Sequence, residues 1–203
     1  QNYAEIESVV RFTYWGKRYV RLVNGHEKTK EIAAWTDSTF FSVFSVPVLE
    51  GDPRTALREP NSIAISRKMA KKYFPDGNAL GQSLILDDDI NSKVTAVYED
   101  IPARSHFHFD ILRAMEGLED SKSVTLIGGS EAHIYLLLKE GTRADQLESK
   151  FPVFIEKFVM PQIADAIGGE QTLEKFRAAG NNWEYSLTNV ADIHLHSSLL
   201  SEF

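Results

Sequence analysis

The sequence predicts an α+β fold with strands and helices in mixed order. Two strand patterns flank the turn dipeptide Asn24-Gly25 near the start of the chain. A compact α/β pattern follows in residues 62–98, and a strand with several helices follows in residues 132–179. This order of a hairpin, a central α/β unit and strand–helix–strand units is what predicts the class.

Residues 62–110 are the centre of the prediction. Ser66 can cap a helix, because its hydroxyl can accept a hydrogen bond from a free N–H group of the first turn. Apolar residues from Met69 to Phe74 then fall on one face of that helix. The predicted elements are a strand at 62–65, a helix at 66–74, a turn at 75–77 and strands at 83–86 and 93–98.

The first sixty residues predict a hairpin followed by a short aromatic helix. The Asn24-Gly25 dipeptide favours a tight hairpin turn. Asp37 or Ser38 could cap a helix that carries Phe40, Phe41 and Phe44, and these rings are typical of a core rather than a ligand site. The predicted elements are strands at 6–13, 17–23 and 28–35, with one charged, solvated face on the last, and then mostly loop or short strand at 45–60.

The second half of the chain predicts two strands around a helical region. Apolar residues recur at helical spacing from Leu147 to Val159, and Pro152 must kink this helix or begin a second one. Thr142 could cap the first of these helices. The predicted elements are a strand at 107–112 that continues into a short helix at 113–118, a loop at 128–129, a strand at 132–139, a helix from 143, a helix at 171–179 and a strand at 183–195.

Composition narrows the function classes. The chain has 203 residues, a net charge of −7 and no cysteine. The acidic balance argues against nucleic acid as a partner, and the lack of cysteine excludes disulfides and thiolate chemistry. No stretch approaches the roughly 20 apolar residues that span a bilayer. The chain begins at Gln1 without a signal peptide, which we interpret as a piece of a longer protein.

Two clusters of histidine and aspartate could bind a metal. His106, His108 and Asp110 alternate along the chain, and Asp192, His194 and His196 do the same near the end. If both stretches were neighbouring strands, these imidazoles and carboxylates would suit zinc. The competing interpretation is that each cluster is the polar face of a half-buried strand whose apolar residues face the core.

Other chemical motifs are weak. The sequence holds no nucleophile elbow, no phosphate-binding P-loop and no H-E-x-x-H pair. Asp87-Asp88-Asp89 lacks the glycine and glutamate of a calcium loop, so a solvated hairpin turn is the better prediction. Arg67, Lys68, Lys71 and Lys72 predict a basic helix face, either solvated or docked on an acidic neighbour.

A set of ordered segments resembles a known family. The sequence resembles the periplasmic core domain of MacB/FtsX-like ABC transporter permeases, closely over residues 40–110 and loosely elsewhere. The order and spacing of the segments carry the resemblance, since each segment alone is common. The matching segments are FFSVFSVPVLEGDP at 40–53, IAIS at 63–66, MA at 69–70, YF at 73–74, LGQSL at 80–84, VTAVYEDIP at 94–102, SHFHFD at 105–110 and DIHLHS at 192–197.

The resemblance implies an architecture and a location. It implies a porter-like, membrane-proximal α/β sandwich lobe from residues 1–39 and 103–203, with a smaller inserted α/β lobe from residues 40–102. It also implies a periplasmic domain of an inner-membrane protein, held between the first and second transmembrane helices. In such permeases this domain has no catalytic residues and no cofactor, and a separate cytoplasmic domain or subunit hydrolyses ATP.

The resemblance also implies partners and leaves the substrate open. The expected partners are the flanking transmembrane helices, a second permease copy, the cytoplasmic ATPase and a periplasmic partner or exported substrate. Two alternatives rest on other classes of protein. One is a secreted metal-dependent enzyme that uses His106, His108, His194 and His196. The other is a free-standing binding module.

Overall fold

The structure is a computed structural model that describes residues 3–122 and 132–193. The chain divides into two compact units. Among the described residues, the sheet unit comprises residues 8–122 and 132–137, and the helical unit comprises residues 3–7 and 138–193. Strands from residues 1–39, 40–102 and 103–203 all join one sheet. The assignment of a membrane-proximal lobe stays a prediction.

Six strands of the described chain pair in a closed ring. The ring runs β1–β2–β7–β4–β6–β5 and returns to β1, because β1 pairs antiparallel with both β2 and β5. β3 adds to β6, and β8 adds to β1. The strands are β1 Ile6–Leu22, β2 Thr29–Thr36, β3 Val48–Gly51, β4 Ser62–Ser66, β5 Ser83–Leu86, β6 Ile90–Tyr98, β7 Ile111–Ala114 and β8 Ala132–Leu138.

The first strand is longer than the sequence predicts. Residues 6–13 and 17–23 were expected to form two strands, but β1 is continuous from Ile6 to Leu22. Its pairing with β2 shifts register between Tyr14 and Gly16, and Gly16 has a φ of 85°. This bulge absorbs the irregular pattern that suggested a break, so pairing continues on both sides of it.

The sheet unit is packed on both faces of its central strands. All residues of β4 and β7 are buried, including the polar Ser62 and Ser66 and the charged Arg113. Helix α2, Arg67–Tyr73, packs Met69 and Tyr73 into this core. Ser66 caps α2 as predicted, and its hydroxyl accepts a hydrogen bond from Met69 N at 3.2 Å. The core contains Val20, Ala33, Ile63, Ile65, Leu84, Leu86, Val94, Val97 and Ile111.

The other helices only partly follow the sequence pattern. Pro152 lies in the first turn of α4, so a second helix begins there instead of a kink. The N-cap of α3 is Arg143, not Thr142. The predicted helix at 113–118 is a short 3₁₀ turn, Met115–Gly117. The other helices are α1 Phe40–Val43, α3 Ala144–Glu148, α4 Phe151–Phe154, a π turn Ile155–Val159, α5 Met160–Ile167, α6 Leu173–Ala178, and 3₁₀ turns Glu119–Lys122 and Val190–Asp192.

The predicted strand at 183–195 is wrong over its described part. Residues 181–189 have no regular secondary structure, and Val190–Asp192 is a 3₁₀ turn. Trp183 packs instead against the core of the helical unit, which contains Ile155, Val159, Met160, Ile163 and Leu173. Alternating residues form a strand only where a neighbouring strand completes the hydrogen bonds.

Candidate functional site

The first histidine cluster lies in a loop and not in a strand. Residues 105–109 have no strand hydrogen bonding, and Phe107 and Phe109 are 3% and 4% exposed. His106 Nε2 lies 3.0 Å from the hydroxyl oxygen of Tyr135. His108 is exposed. Phe107 and Phe109 thus face the core as the competing interpretation predicts, but the predicted strand is wrong, and His106 is half-buried against the ring of Tyr135.

The second histidine cluster lies mostly outside the described residues. His194 and His196 lie outside the described residues, and Asp192 ends a 3₁₀ turn. Within residues 3–122 and 132–193, no three His, Asp or Glu side chains come together in a way that could hold a metal ion. The described residues therefore offer no support for the zinc hypothesis.

A group of packed aromatic rings fixes the loop that carries His106. Phe12 lies at the centre, with ring centroids 5.3–5.9 Å from those of its neighbours. Tyr98 is buried and donates a hydrogen bond to the carbonyl of Phe109 at 2.7 Å. Burial raises the pKa of Tyr135 to about 12, so its hydroxyl stays protonated at neutral pH. The rings around Phe12 are Phe40, Phe44, Phe107, Phe109 and Tyr135.

The basic face of α2 is largely occupied by ion pairs within the chain. Arg67 pairs with Glu99, and Lys68 Nζ lies 3.9 Å from Asp110 Oδ1. Lys72 Nζ lies 2.6 Å from Glu31 Oε1. Three of the four cations are thus already neutralised by carboxylates of the sheet unit. This face is better described as part of the fold than as a free docking surface.

Glu31 is a buried carboxylate that the sequence pattern does not reveal. It is 5% exposed and accepts hydrogen bonds from Lys72, from Thr29 at 2.5 Å and from the Tyr73 hydroxyl at 3.1 Å. Burial alone would raise the pKa of Glu31, but these hydrogen bonds and the Lys72 charge outweigh it and hold the pKa below its usual value. Glu31 therefore remains ionised at neutral pH and ties β2 to α2.

Arg113 is a second buried charge without a sequence signal. It is 4% exposed, and its guanidinium carbon lies 4.4 Å from the ring centroid of Trp35 and 5.3 Å from that of Trp15. Nη2 donates a 3.4 Å hydrogen bond to Asn61 Oδ1. Burial lowers the pKa of Arg113, while the Asp87 charge opposes that shift. The two indole faces stabilise a cation that a purely aliphatic core could not hold.

The acidic triplet forms the predicted hairpin turn. Asp87, Asp88 and Asp89 join β5 to β6, and Leu86 pairs with Ile90 across the turn. The triplet faces cations of the same unit: Asp87 Oδ2 lies 3.2 Å from Arg18 Nη1, and Asp88 pairs with Lys28. These carboxylates are therefore engaged with arginine and lysine rather than arranged around a cation site.

Two cavities open on the surface of the described residues. One has a volume of about 610 Å³ and lies in the sheet unit, between the β1–β2 turn and the loop after α2, with Leu22, Tyr73, Gly77 and Gln82 on its walls. A cavity of about 340 Å³ lies in the helical unit. No helix within 3–122 and 132–193 has the length and apolar content needed to span a bilayer.

Comparison with known proteins places these features in a family. The family model described as the MacB-like periplasmic core domain matches residues 1–152. A search among curated proteins finds none that matches the chain. Among solved structures, a domain of a proposed permease from Porphyromonas gingivalis is similar, with a TM-score of 0.69, 22% identity, and coverage of 78% of this chain and 73% of that one.

Two further solved structures share the fold. The periplasmic region of MacB from Actinobacillus actinomycetemcomitans has a TM-score of 0.56 and 12% identity, covering 91% of this chain and 80% of that one. The extracellular domain of the noncanonic ABC-type transporter YknZ from Gram-positive bacteria has a TM-score of 0.54 and 16% identity, covering 93% and 84%. The mixed α/β fold and the family resemblance are thus confirmed. The chain belongs to the family of MacB-like periplasmic core domains, the extracytoplasmic domains of MacB/FtsX-like ABC transporter permeases.

Proposed function

We propose that this domain lies between the first and second transmembrane helices of its permease and carries ATP-driven movement of those helices to a substrate or partner outside the membrane. The observation that carries the proposal is the family match over residues 1–152. In this proposal the permease works in the cytoplasmic membrane as a dimer, and ATP is hydrolysed by a separate cytoplasmic domain or subunit.

The construction of the sheet unit supports a role in transmitting movement. The closed ring of strands, the ion pair of the buried Glu31 with Lys72 and the Arg113 guanidinium packed beside two indoles each join segments that are distant in sequence. Such a unit resists internal deformation, because closely packed interiors transmit displacement instead of absorbing it. A body of this kind suits the transfer of a helix movement over a distance.

The proposal can be tested by distances between two copies in the membrane. Because this chain has no cysteine, one introduced cysteine in an otherwise cysteine-free permease reports only on the same position in the second copy. We would spin-label Leu49→Cys and, separately, Lys71→Cys, both at exposed positions of the sheet unit. Distances between copies are expected to differ between the nucleotide-free permease and the permease trapped with ADP and vanadate after ATP hydrolysis.

The control uses both labels within one copy. The double variant Leu49→Cys, Lys71→Cys, diluted into unlabelled permease, measures a distance inside the sheet unit. That distance is expected to be equal in both nucleotide states, since the unit moves as a body. Distances between copies that do not respond to nucleotide would contradict the proposal, and so would a large change inside the unit.

A further inference from the structure

Arg113 is a buried cation whose hydrogen-bond donors are only partly used. It is 4% exposed, and its Nη2 donates a 3.4 Å hydrogen bond to Asn61 Oδ1. Its Nε and Nη1 are buried and have no hydrogen-bond partner among the described residues. These two nitrogens carry three of the five N–H donors of a guanidinium. Since buried donors are normally paired and are costly to leave unpaired, they require an acceptor that the described side chains do not supply.

A second arginine with an unused donor lies beside the same indole. The guanidinium carbons of Arg18 and Arg113 lie 5.2 Å and 5.3 Å from the ring centroid of Trp15. Arg18 Nε is also buried and has no hydrogen-bond partner in the part of the chain that the structure describes. The need for an acceptor is therefore shared by two cations in one region of the sheet unit.

The charges in this region do not balance. Asp87 Oδ2 lies 3.2 Å from Arg18 Nη1, and Asp87 Oδ1 accepts a hydrogen bond from the backbone N–H of Tyr19 at 3.2 Å. Arg113 forms no ion pair with any carboxylate whose position the structure describes. The indoles of Trp15 and Trp35 attract the guanidinium charge but do not neutralise it. Two guanidinium groups thus face one carboxylate, which leaves one positive charge.

A small anion would meet both requirements. Water could accept the hydrogen bonds but would not compensate the charge, and a buried ion without a counter-ion is strongly disfavoured. Arg113 is almost completely enclosed, and Trp35, which is opposite it in the pairing of β2 with β7, is only 6% exposed. Such burial suits a single-atom ion better than a phosphate ester or a metabolite with a carboxylate. The single excess positive charge matches a monovalent anion.

We propose that Arg113, beside Trp15 and Trp35, binds a halide ion such as chloride inside the sheet unit. The ion accepts hydrogen bonds from Arg113 and serves as its counter-ion, which allows β7 to carry a charge among buried strands. Halide binding at Arg113 requires nothing of transmembrane helices, so it stands apart from the proposed function.

The test uses the two indoles beside Arg113 as reporters. The chain has three tryptophans, and Trp183→Phe leaves Trp15 and Trp35 as the emitters while keeping an aromatic ring in the helical unit. Sodium bromide replaces sodium gluconate at constant ionic strength, because bromide quenches indole emission on contact. We expect a loss of emission that saturates and is several-fold steeper at low bromide than at high. Chloride, a weak quencher, should restore the emission by displacing bromide, whereas the larger, divalent sulfate should not.

Arg113→Met in the Trp183→Phe chain removes the proposed ligand group. Methionine fills much of the same space, and replacement of a buried ion by an apolar residue often preserves folding. The saturating component should disappear in this variant and persist with Arg104→Met, which removes an exposed arginine of the same unit. Equal saturation in both variants, or equal displacement of bromide by chloride and sulfate, would overturn the proposal.

The Trp183→Phe chain also decides the matter by itself, should Arg113→Met fail to fold. A quenching curve that is linear in bromide, with no component that chloride reverses, would mean that no halide binds beside these indoles. Water would then be the acceptor for Arg113, and the proposal would be overturned.

Discussion

At the scale of single residues, Glu31 shows how a charge in the sequence can mislead. Residues 28–35 contain several charges, which predicts a solvated strand face, yet Glu31 is 5% exposed. Its partners Lys72 and Tyr73 are 41 and 42 positions away in the chain. Only the pairing of distant segments turns this glutamate inward, so no local pattern could have revealed it.

Local sequence patterns predict the burial of a side chain correctly where its surroundings are determined by residues nearby in the sequence. The alternation around His106 and His108 correctly separates the buried Phe107 and Phe109 from the histidines. The same pattern could not decide whether the histidines bind zinc, because a metal site requires ligands from another segment. The part of the second cluster that would decide it, His194 and His196, lies outside the described residues.

The Glu31 network predicts a specific dependence of stability on pH. The folded-state pKa of Glu31 is depressed, so its contribution is present above the unfolded-state pKa of about 4.3 and is lost as the pH falls through the folded-state value. Lys72→Met should lower the free energy of unfolding by roughly 1–3 kcal/mol at pH 7, a range reduced because Lys72 is partly exposed. The loss should shrink at acidic pH, as the pH falls through the depressed pKa of Glu31 and the carboxylate becomes protonated.

This prediction is checked by urea unfolding at several pH values, followed by tryptophan fluorescence. Lys71→Met is the matched control, because Lys71 is exposed on the same helix. Its free energy of unfolding should stay close to that of the unchanged chain at every pH. A Lys72→Met loss that is independent of pH, or equal to that of Lys71→Met, would argue against a buried Glu31 carboxylate.

At the scale of elements, the sequence predicted the helix caps, turns and strands that are determined by interactions between residues close in the chain. The cap at Ser66, the turn after α2 and strands β4, β5 and β6 are confirmed, because each follows from propensity and periodicity within a few residues. The strand at 183–195 is wrong, because alternation does not supply a neighbouring strand. The split of β1 into two strands is wrong, because a bulge preserves pairing across an irregular pattern.

The edge strand β3 depends on Gly51, which the sequence pattern identifies only as a residue that interrupts regular secondary structure. Gly51 has a φ of 93°, and a Cβ there would lie 2.4 Å from the carbonyl oxygen of Thr95 and 3.1 Å from the Cα of Ala96. Both are backbone atoms of β6 and cannot move aside cheaply. Gly51→Ala should therefore combine backbone strain with a steric clash and lower the free energy of unfolding by roughly 2–4 kcal/mol.

Gly141→Ala separates the two causes. Gly141 has a φ of 79°, but a Cβ there would meet no atom within 4 Å. Its cost should be only about 1 kcal/mol, from the backbone conformation alone. Urea unfolding gives both values, and hydrogen exchange of the β3 amides shows whether the edge strand detaches. Equal costs for the two substitutions would mean that the close approach of β3 to β6 does not constrain Gly51.

At the scale of the whole molecule, composition and segment order were enough to identify the class and the family, but not the strand pairings. The parallel pairing of β2 with β7 and the antiparallel pairing of β1 with β5 bring residues 8–39 into the same sheet as residues 83–114. The strand pairing that forms is the one that buries the most apolar surface, and that surface depends on all strands of the sheet together. The lobe boundaries at residues 39 and 103 stay a prediction.

The two compact units should respond separately to loss of core packing. Val159 in the helical unit and Val94 in the sheet unit are both fully buried, so they form a matched pair. Truncation to alanine removes two methyl groups from each core and should cost about 2 kcal/mol in either place. Because opening reactions follow compact units, Val159→Ala should speed amide exchange in α5 and leave β4 and β6 protected. Val94→Ala should do the reverse, and equal acceleration throughout both units in either variant would show that the chain opens only as one cooperative body.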